Sequence, residues 1–581
     1  MKTFLLWRHG HGRRYPPTAL AAARMAAIFD PFYREPPPVE TRAANGASLL
    51  YQELPVKGWT RPFIQEDESR WVLAIDYPID ADAVTARTRG GRPPLPALCA
   101  MLEREPRRLL HDLSPPFSLI WHNKRSDSFY AVCDGLGFAK LYEYRRGPYW
   151  ALTNRISAFA ALDLPLEPDL DMWMARWALN WFPLNRSGFK NVRSAEPGTR
   201  FRITDKRVSE SEYDVLGDWL TPQDLSPEDC LEQARWAMHE YLQRAVSHLD
   251  EVTVGLSGGW DSRPVAATLL GMGVPFTAQV RGEDWRPDVL IAKELCEIAG
   301  IPLKHRRRHG VPKTNTEALH GSIINALIWQ SGFLSRRHHH TFQGRGRGFG
   351  PGTHRVTGRC GEIARTYILD RYGRRDGDRL PTSLFAETSM EILPPFVRSE
   401  TNIRVRQILF DEFNQAERYG LADDLAWQFC VLQRAARSIH QRYVGYAPGV
   451  TIIPYLHPDI VKAAFSLPIS MLCKNPVHSH IVASWMPRWA QVEYEKAMTK
   501  RLKVASTTKL APGLTASEAN KLPESLRPSG AEHYNKKLFW HEYAAPMMEQ
   551  TLREDGMWTE VFDPKQARED WRKQPEELAI M

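Results

Sequence analysis

Cysteine is scarce and scattered in this chain. Seven occur in 581 residues, as Cys99, Cys133, Cys230, Cys296, Cys360, Cys430 and Cys473, and no two form a Cys-x-x-Cys pair. That excludes a zinc ribbon and a disulfide framework and fits a reducing compartment. Long apolar runs are missing as well: no stretch of about 18 apolar residues occurs, so no transmembrane helix is expected. Met1–Arg8 has too short an apolar core for a signal peptide, and the expected location is cytoplasmic. There is no internal repeat, and no glycine-rich turn ends in the Gly-Lys-Ser/Thr of a P-loop. What remains is ordinary for a soluble globular chain, 43% hydrophobic and 25% charged, long enough for two or three domains. The net charge of +8 is modest for the length. Part of it clusters between Arg336 and Arg375, where glycine interrupts arginine. That stretch suits a nucleic-acid or acidic-peptide surface, or equally a solvated loop. The run His338-His339-His340 contains metal-ligand residue types, but three consecutive side chains on a helix or strand cannot all face one ion.

The most informative segment is Val252–Arg263. Five strand-type residues run into Ser257-Gly258-Gly259, Asp261 and Ser262 follow, and Val265, Ala266, Leu269 and Leu270 then recur at helical spacing. Strand, glycine turn and helix in that order gather backbone N–H groups and a positive helix end at one point. Gly258 and Gly259 let the backbone approach an anion without a Cβ in the way. Asp261 suits a phosphate neighbour only if a magnesium ion lies between them. The segment predicts a phosphate site with a metal.

Along the chain the texture changes once. Residues 1–215 show short β-type runs (71–76, 117–121, 129–133, 141–144 and 150–153) between turn residues. A short helix is expected over 98–105, ended by Pro106. Ser226-Pro227 signals a long helix reaching His248. From 251 to about 310 strand and helix alternate: strands at 252–256, 276–280 and 301–305, and a helix opened by Pro287-Asp288 and closed by Gly300. Such alternation implies a doubly wound parallel sheet that binds ligands at the carboxyl ends of its strands. Residues 380–500 read as mostly helical, 505–535 as a linker, and the tail from Tyr534 as docked helices. The expected domains are 1–215, 216–510 and an extension over 511–581.

Ser-Gly-Gly-x-Asp-Ser after a strand resembles the pyrophosphate loop of the ATP pyrophosphatases. In the first half, Phe129–Tyr142 resembles the "RDxxGxxPLYY" stretch of glutamine amidotransferase domains of the N-terminal-nucleophile type. Thr153–Leu162 is similar to their "SEIKALL" segment and Phe189–Phe201 to their closing "GIxxLxPGxxL" run. In order and spacing, the chain to about residue 500 resembles the asparagine synthetase B family. The resemblance implies an α/β protein: an Ntn-hydrolase-like αββα domain, then a doubly wound ATP-pyrophosphatase domain with a helical C-terminal part. It fails at one decisive point. The family's glutaminase nucleophile is a cysteine at position 2, and here Lys2 stands there. The first domain is therefore expected to be a glutaminase relic, as in the β-lactam synthetases and lasso-peptide cyclases of the same family, where the substrate carries the nitrogen nucleophile.

By the same resemblance, Leu256, Ser257, Gly258, Gly259, Asp261, Ser262, Val280 and Gly358 bind ATP, and Asp261 and Glu362 hold Mg2+. Asp288 matches an aspartate on the following helix, where it also suits a helix cap. Arg359 takes the place of a glutamate or tyrosine facing the acyl-adenylate, which points to an acidic substrate or a shifted site. His457 replaces the Asp of "PFLDxxLV". Lys474 is the nearest candidate for the catalytic lysine, with Lys496, Lys500 and Lys503 as further ones. The implied activity is an AMP-forming amide ligase acting on a carboxylate, with an acidic peptide as one candidate, and an amine, with a leader-peptide protease as a partner in the cyclase case. Asparagine synthesis from ammonia, a non-catalytic ATP-binding scaffold and a tRNA-modifying pyrophosphatase stand as alternatives. No membrane partner is expected.

Overall fold

The computed structural model describes residues 2–9, 15–282, 284, 286–307, 321, 324–325, 327–331, 349–366, 389–391, 393–421, 423–444, 449–498, 551–553 and 556–573. The His338–His340 run, Lys500, Lys503, the 505–535 segment and the Arg336–Arg375 cluster apart from 349–366 lie outside them. Of the tail from Tyr534, only 551–553 and 556–573 lie within them.

The first half is built from β1 (Lys2–Arg8), β2 (Glu40–Ala44), β3 (Ala47–Glu53), β4 (Val56–Lys57), β5 (Ile64–Glu66), β6 (Arg70–Asp76), β7 (Ser118–Asn123), β8 (Ser128–Cys133), β9 (Tyr142–Arg146), β10 (Tyr149–Thr153), β11 (Val192–Ser194), β12 (Thr199–Ile203) and β13 (Val208–Glu212). They form two antiparallel sheets, ordered β11-β9-β10-β1-β3-β2 and β13-β12-β8-β7-β6-β5. Strand alternation sorts the apolar residues into two cores. Phe4, Leu6, Leu73, Ile120, Ala131, Leu152 and Phe201 meet between the sheets. Leu5 and Trp7 instead share a core with Met25 and Phe29 of helix Thr18–Phe29, and Val72 and Trp121 with Leu98 and Leu102 of helix Pro94–Arg104. The layers run helix, sheet, sheet, helix. Pro106 ends the expected short helix and opens the next, Pro106–Asp112.

Helix Pro227–Val246 follows, its first turn capped by the Ser226 hydroxyl accepting from Asp229 N–H at 3.1 Å. A parallel sheet then forms from β14 (Thr253–Gly255), β15 (Thr277–Arg281), β16 (Leu303–Arg306), β17 (Gly352–Val356) and β18 (Gly449–Ile452), in the order β16-β15-β14-β17-β18. Successive strands step one way from β14 and then the other. The switch therefore falls between β14 and β17, where the loops leaving their carboxyl ends part and open a crevice. Strand β4 of the first half also pairs with the start of β17, tying the two halves together.

The strands are not apolar on both faces, as a doubly covered sheet would require. Register puts Val254, Ala278, Val280, Val356 and Ile452 on one buried face. Thr253, Gln279, Arg281, Lys304, Arg306, Thr353 and Arg355 fall on the other, half-buried or exposed. Helices Ser399–Asn414, Asp423–Arg434, Pro458–Ser466 and Pro476–Trp485 complete the C-terminal part, with a π-helical run, Ala435–Val444, directly after Arg434. Among the described residues no helix is long and apolar enough to cross a membrane.

Candidate functional site

The loop after β14 is pinned at both ends. Leu256 N–H donates to Gln279 O at 3.0 Å, the last rung beside β15. Ser257 N–H donates to Ser262 Oγ at 3.0 Å, across the turn to the first residue of helix Ser262–Gly271. Gly259 N–H donates to Ser257 Oγ at 3.2 Å, and Gly258 N–H to Asp288 Oδ1 at 2.8 Å. The Asp288 carboxylate thus takes the Gly258 N–H that the expected phosphate would use. A Cβ on Gly258 would lie 2.8 Å from Ile291 Cδ1, so glycine is what lets the loop lie on helix Pro287–Ala299.

The loop after β17 locks against the first. Thr357 N–H continues the ladder to Ile452 O at 3.1 Å. A Cβ on Gly358 would lie 1.9 Å from Asp261 O, and one on Gly361 2.6 Å from Asp261 Oδ1. Between these glycines Cys360 takes a left-handed conformation, φ 66°, uncommon for a residue with a Cβ. The two loops therefore meet backbone to backbone at the switch point.

Asp261 is the centre of the charged groups here. Arg365 grips it as a fork, Nε to Oδ1 at 3.0 Å and Nη2 to Oδ2 at 3.1 Å. His478 Nε2 lies 3.1 Å from Oδ1. The contact is close, and neither ring nitrogen of this buried histidine has a further partner among the described residues. The His478 ring stacks on Tyr455, centroids 5.3 Å apart. Glu362 Oε1 pairs with Arg434 Nη1 at 3.1 Å. Burial works to raise the Asp261 pKa, but His478 and Arg365 outweigh it and hold the group below its ordinary range. Burial lowers the His478 pKa, against the pull of Asp261.

Both shifts act in one direction. The unfolded chain takes up the His478 proton first as pH falls below the ordinary value of 6.5. The Asp261 contribution is full above its ordinary value of 3.8 and is lost as pH falls below it. The melting midpoint is expected to fall between pH 7 and pH 5. His478→Phe should flatten that fall by up to one proton's worth, at most about 1.4 kcal/mol per pH unit. Thermal melts across that range test this, and an unchanged slope in the variant would refute it.

Residues 489–495 cover the loop from outside. Arg263, fully buried, donates to the carbonyls of Trp489, Val492 and Glu493 at 3.0, 2.7 and 3.1 Å. Trp260 stacks on Tyr494, centroids 3.5 Å apart, and Glu495 N–H donates to Gly258 O at 2.9 Å.

Of the expected site residues, Ser257, Gly258, Gly259, Asp261, Ser262 and Gly358 come together here. Arg359 and Glu362 stand on the same second loop. Leu256 and Val280 are buried side by side at the ends of β14 and β15. Lys474 is exposed after helix Ile469–Leu472, and no hydrogen bond or ion pair joins it to the loops. His457 caps helix Pro458–Ser466 through Asp459 N–H. Arg365, Arg434, Tyr455, His478 and Tyr494 were not anticipated. Only Arg365, three residues beyond Glu362, carried a local hint.

The carboxylates expected to hold magnesium do not fit a divalent cation as arranged. Both Asp261 oxygens face Arg365, Glu362 faces Arg434, and no group of three or more His, Cys, Asp or Glu among the described residues is placed to hold a metal ion.

In the first half, Lys2 is buried with Nζ over the Phe63 ring, 2.6 Å from its centroid. Burial holds this amine well below its ordinary pKa, against the pull of Glu53 and Asp76. Asn154 brackets it, accepting from Phe4 N–H and donating to Lys2 O.

No family model matches the chain, and no curated protein matches it. Among solved structures it is similar to a glutamine phosphoribosylpyrophosphate amidotransferase from B. subtilis complexed with ADP and GMP. That match is 10% identical with a TM-score of 0.26, over 62% of this chain and 81% of that one. It is also similar to a structure described as the allosteric regulatory enzyme of purine biosynthesis, again 10% identical with a TM-score of 0.26, over 68% of this chain and 82% of that one.

Proposed function

We propose that this chain is an ATP-dependent ligase that joins a carboxylate to an amine and releases AMP and pyrophosphate. The observation that supports it most is the Ser257–Ser262 loop placed at the switch point of a parallel sheet and braced there by Gly358 and Gly361. In the reaction proposed, a carboxylate oxygen attacks the α phosphorus of ATP. The bond to the bridging oxygen of the β phosphate breaks, and pyrophosphate leaves with the electron pair. The amine then attacks the acyl carbon, loses a proton, and AMP leaves. The chain's part is to orient the triphosphate on the loop, exclude water and bring the amine to the acyl carbon. With Lys2 buried where a thiol nucleophile would be needed, the amine is proposed to belong to the substrate.

A second reading has its own support. The N–H groups of Ser257, Gly258 and Gly259 and the Asp261 carboxylate have partners within the chain, and Tyr494 lies over Trp260. That suits a protein that binds nucleotide without turning it over. Exchange of labelled pyrophosphate into ATP decides between them, with aspartate, other amino diacids and acidic peptides as the carboxylates. Exchange that depends on one carboxylate and falls about a hundredfold in Asp261→Ala supports the ligase. ATP binding with no exchange supports the second reading.

A further inference from the structure

We infer that the guanidinium of Arg365 stands where the resemblance places a divalent cation, so that a phosphate held on this loop is bound without a metal. The inference deepens the proposed nucleotide site and rests on that reading for its ligand, though not for its ion and stability tests.

Four observations carry it. Arg365 uses both Asp261 oxygens in a planar two-point fork, 3.0 and 3.1 Å, the geometry in which arginine binds a carboxylate most strongly. Oδ1 is approached from a second side by His478 Nε2, 3.1 Å away. Glu362, the second expected ligand, is ion-paired to Arg434 and also adds to the negative field around Arg365. The two expected metal ligands, Asp261 and Glu362, thus face two guanidiniums, Arg365 and Arg434. A magnesium ion needs six oxygen ligands at short range, several of them water. Here it would have to displace one guanidinium and sit beside another.

The arrangement has a consequence for stability that a metal site lacks. Two carboxylates set aside for a cation repel each other when the cation is absent, so removing one relieves the apo protein. Here, removing Asp261 leaves a half-buried guanidinium without its main partner.

The test uses the full-length protein. Mn2+ is titrated in and followed by the electron-spin resonance of the free ion. ATP binding is measured by equilibrium dialysis with excess Mg2+ and with EDTA. Melting midpoints are taken for the native chain, Asp261→Asn, Arg365→Gln and the double variant. The native chain is expected to leave the Mn2+ signal undiminished and its own melting midpoint unmoved by EDTA. ATP affinity should agree within about twofold in the two media. Each single variant should melt lower than the native chain, and the double variant should recover part of the loss. A Mn2+ site in the native chain that vanishes in Asp261→Asn would overturn the inference. So would a tenfold gain in ATP affinity with Mg2+, or an Asp261→Asn variant that melts higher. Failure of ATP to bind in either medium would count against the proposed function, leaving the ion and melting results to judge Arg365. If a variant does not fold, the ion titration of the native chain still decides.

Discussion

Gly358→Ala is expected to be among the most damaging single-methyl changes in this protein. The added Cβ would lie 1.9 Å from Asp261 O and 2.5 Å from Ser262 N. Both are backbone atoms, so no side-chain rotation relieves the clash, and one of the two loops must move. Gly358 does not hold a left-handed conformation, so alanine is not opposed by its own φ. The penalty comes from the contact alone. Overpacking typically costs about 1–3 kcal/mol, and a collision this short with rigid backbone belongs at or above the top of that range. Separation of the loops would also turn Asp261 away from Arg365 and His478, so the proposed ATP binding should be lost along with stability. Gly255→Ala is the control. It lies two residues before Ser257, and nothing stands within 4 Å of its Cβ position. It should stay within about 1 kcal/mol of the native chain. Urea unfolding of both variants measures the difference. Equal midpoints would show that the loops do not meet as described.

Much of this site was legible locally because its parts are local. A strand followed by Ser-Gly-Gly and a helix leaves the backbone few ways to run. Gly300 closes helix Pro287–Ala299 in the left-handed conformation that its position in the sequence predicts, φ 65°. The alternation after residue 251 gave the parallel sheet, and the order of its strands put the loop at the switch point. The polar face of that sheet was also written in Thr-Ala-Gln-Val-Arg of β15. The strand expected at 252–256 is only partly buried: Thr253 is half-buried and Gly255 is exposed. What no local pattern carries is which distant side chain neutralises a given charge. Asp261 suits a metal, an arginine or a histidine equally well until the fold brings Arg365 and His478 to it. The pairing of β4 with β17 was out of reach for the same reason: two residues make a strand only because an unpaired edge lies beside them.

Removing the Glu412 carboxylate should destabilise the protein by about 3–5 kcal/mol, the usual effect of breaking a buried ion pair. Glu412 is 2% exposed. Its Oε1 accepts from Trp181 Nε1 at 2.9 Å, and its Oε2 from Leu184 N–H at 2.9 Å and from Gln415 Nε2 at 3.2 Å, with Arg437 as its ion partner. Donors thus surround both oxygens. Glu412→Gln keeps the shape but cannot satisfy them. Whichever way the amide is turned, its NH2 faces an N–H, so the conservative variant should cost nearly as much as Glu412→Ala. The loss reaches the site by a short route. Trp181 and Leu184 belong to the first half of the chain, and Arg437 lies one turn beyond Arg434, which holds Glu362. Releasing Arg437 should loosen that turn and weaken the proposed ATP binding as well as the joint between the halves. Glu412→Leu combined with Arg437→Met removes both charges and should be less damaging than either Glu412 variant, because no buried charge is left alone. Melting midpoints and ATP dialysis on the three variants test the argument. A Glu412→Gln protein as stable as the native chain would show that the carboxylate is not the tie between the halves.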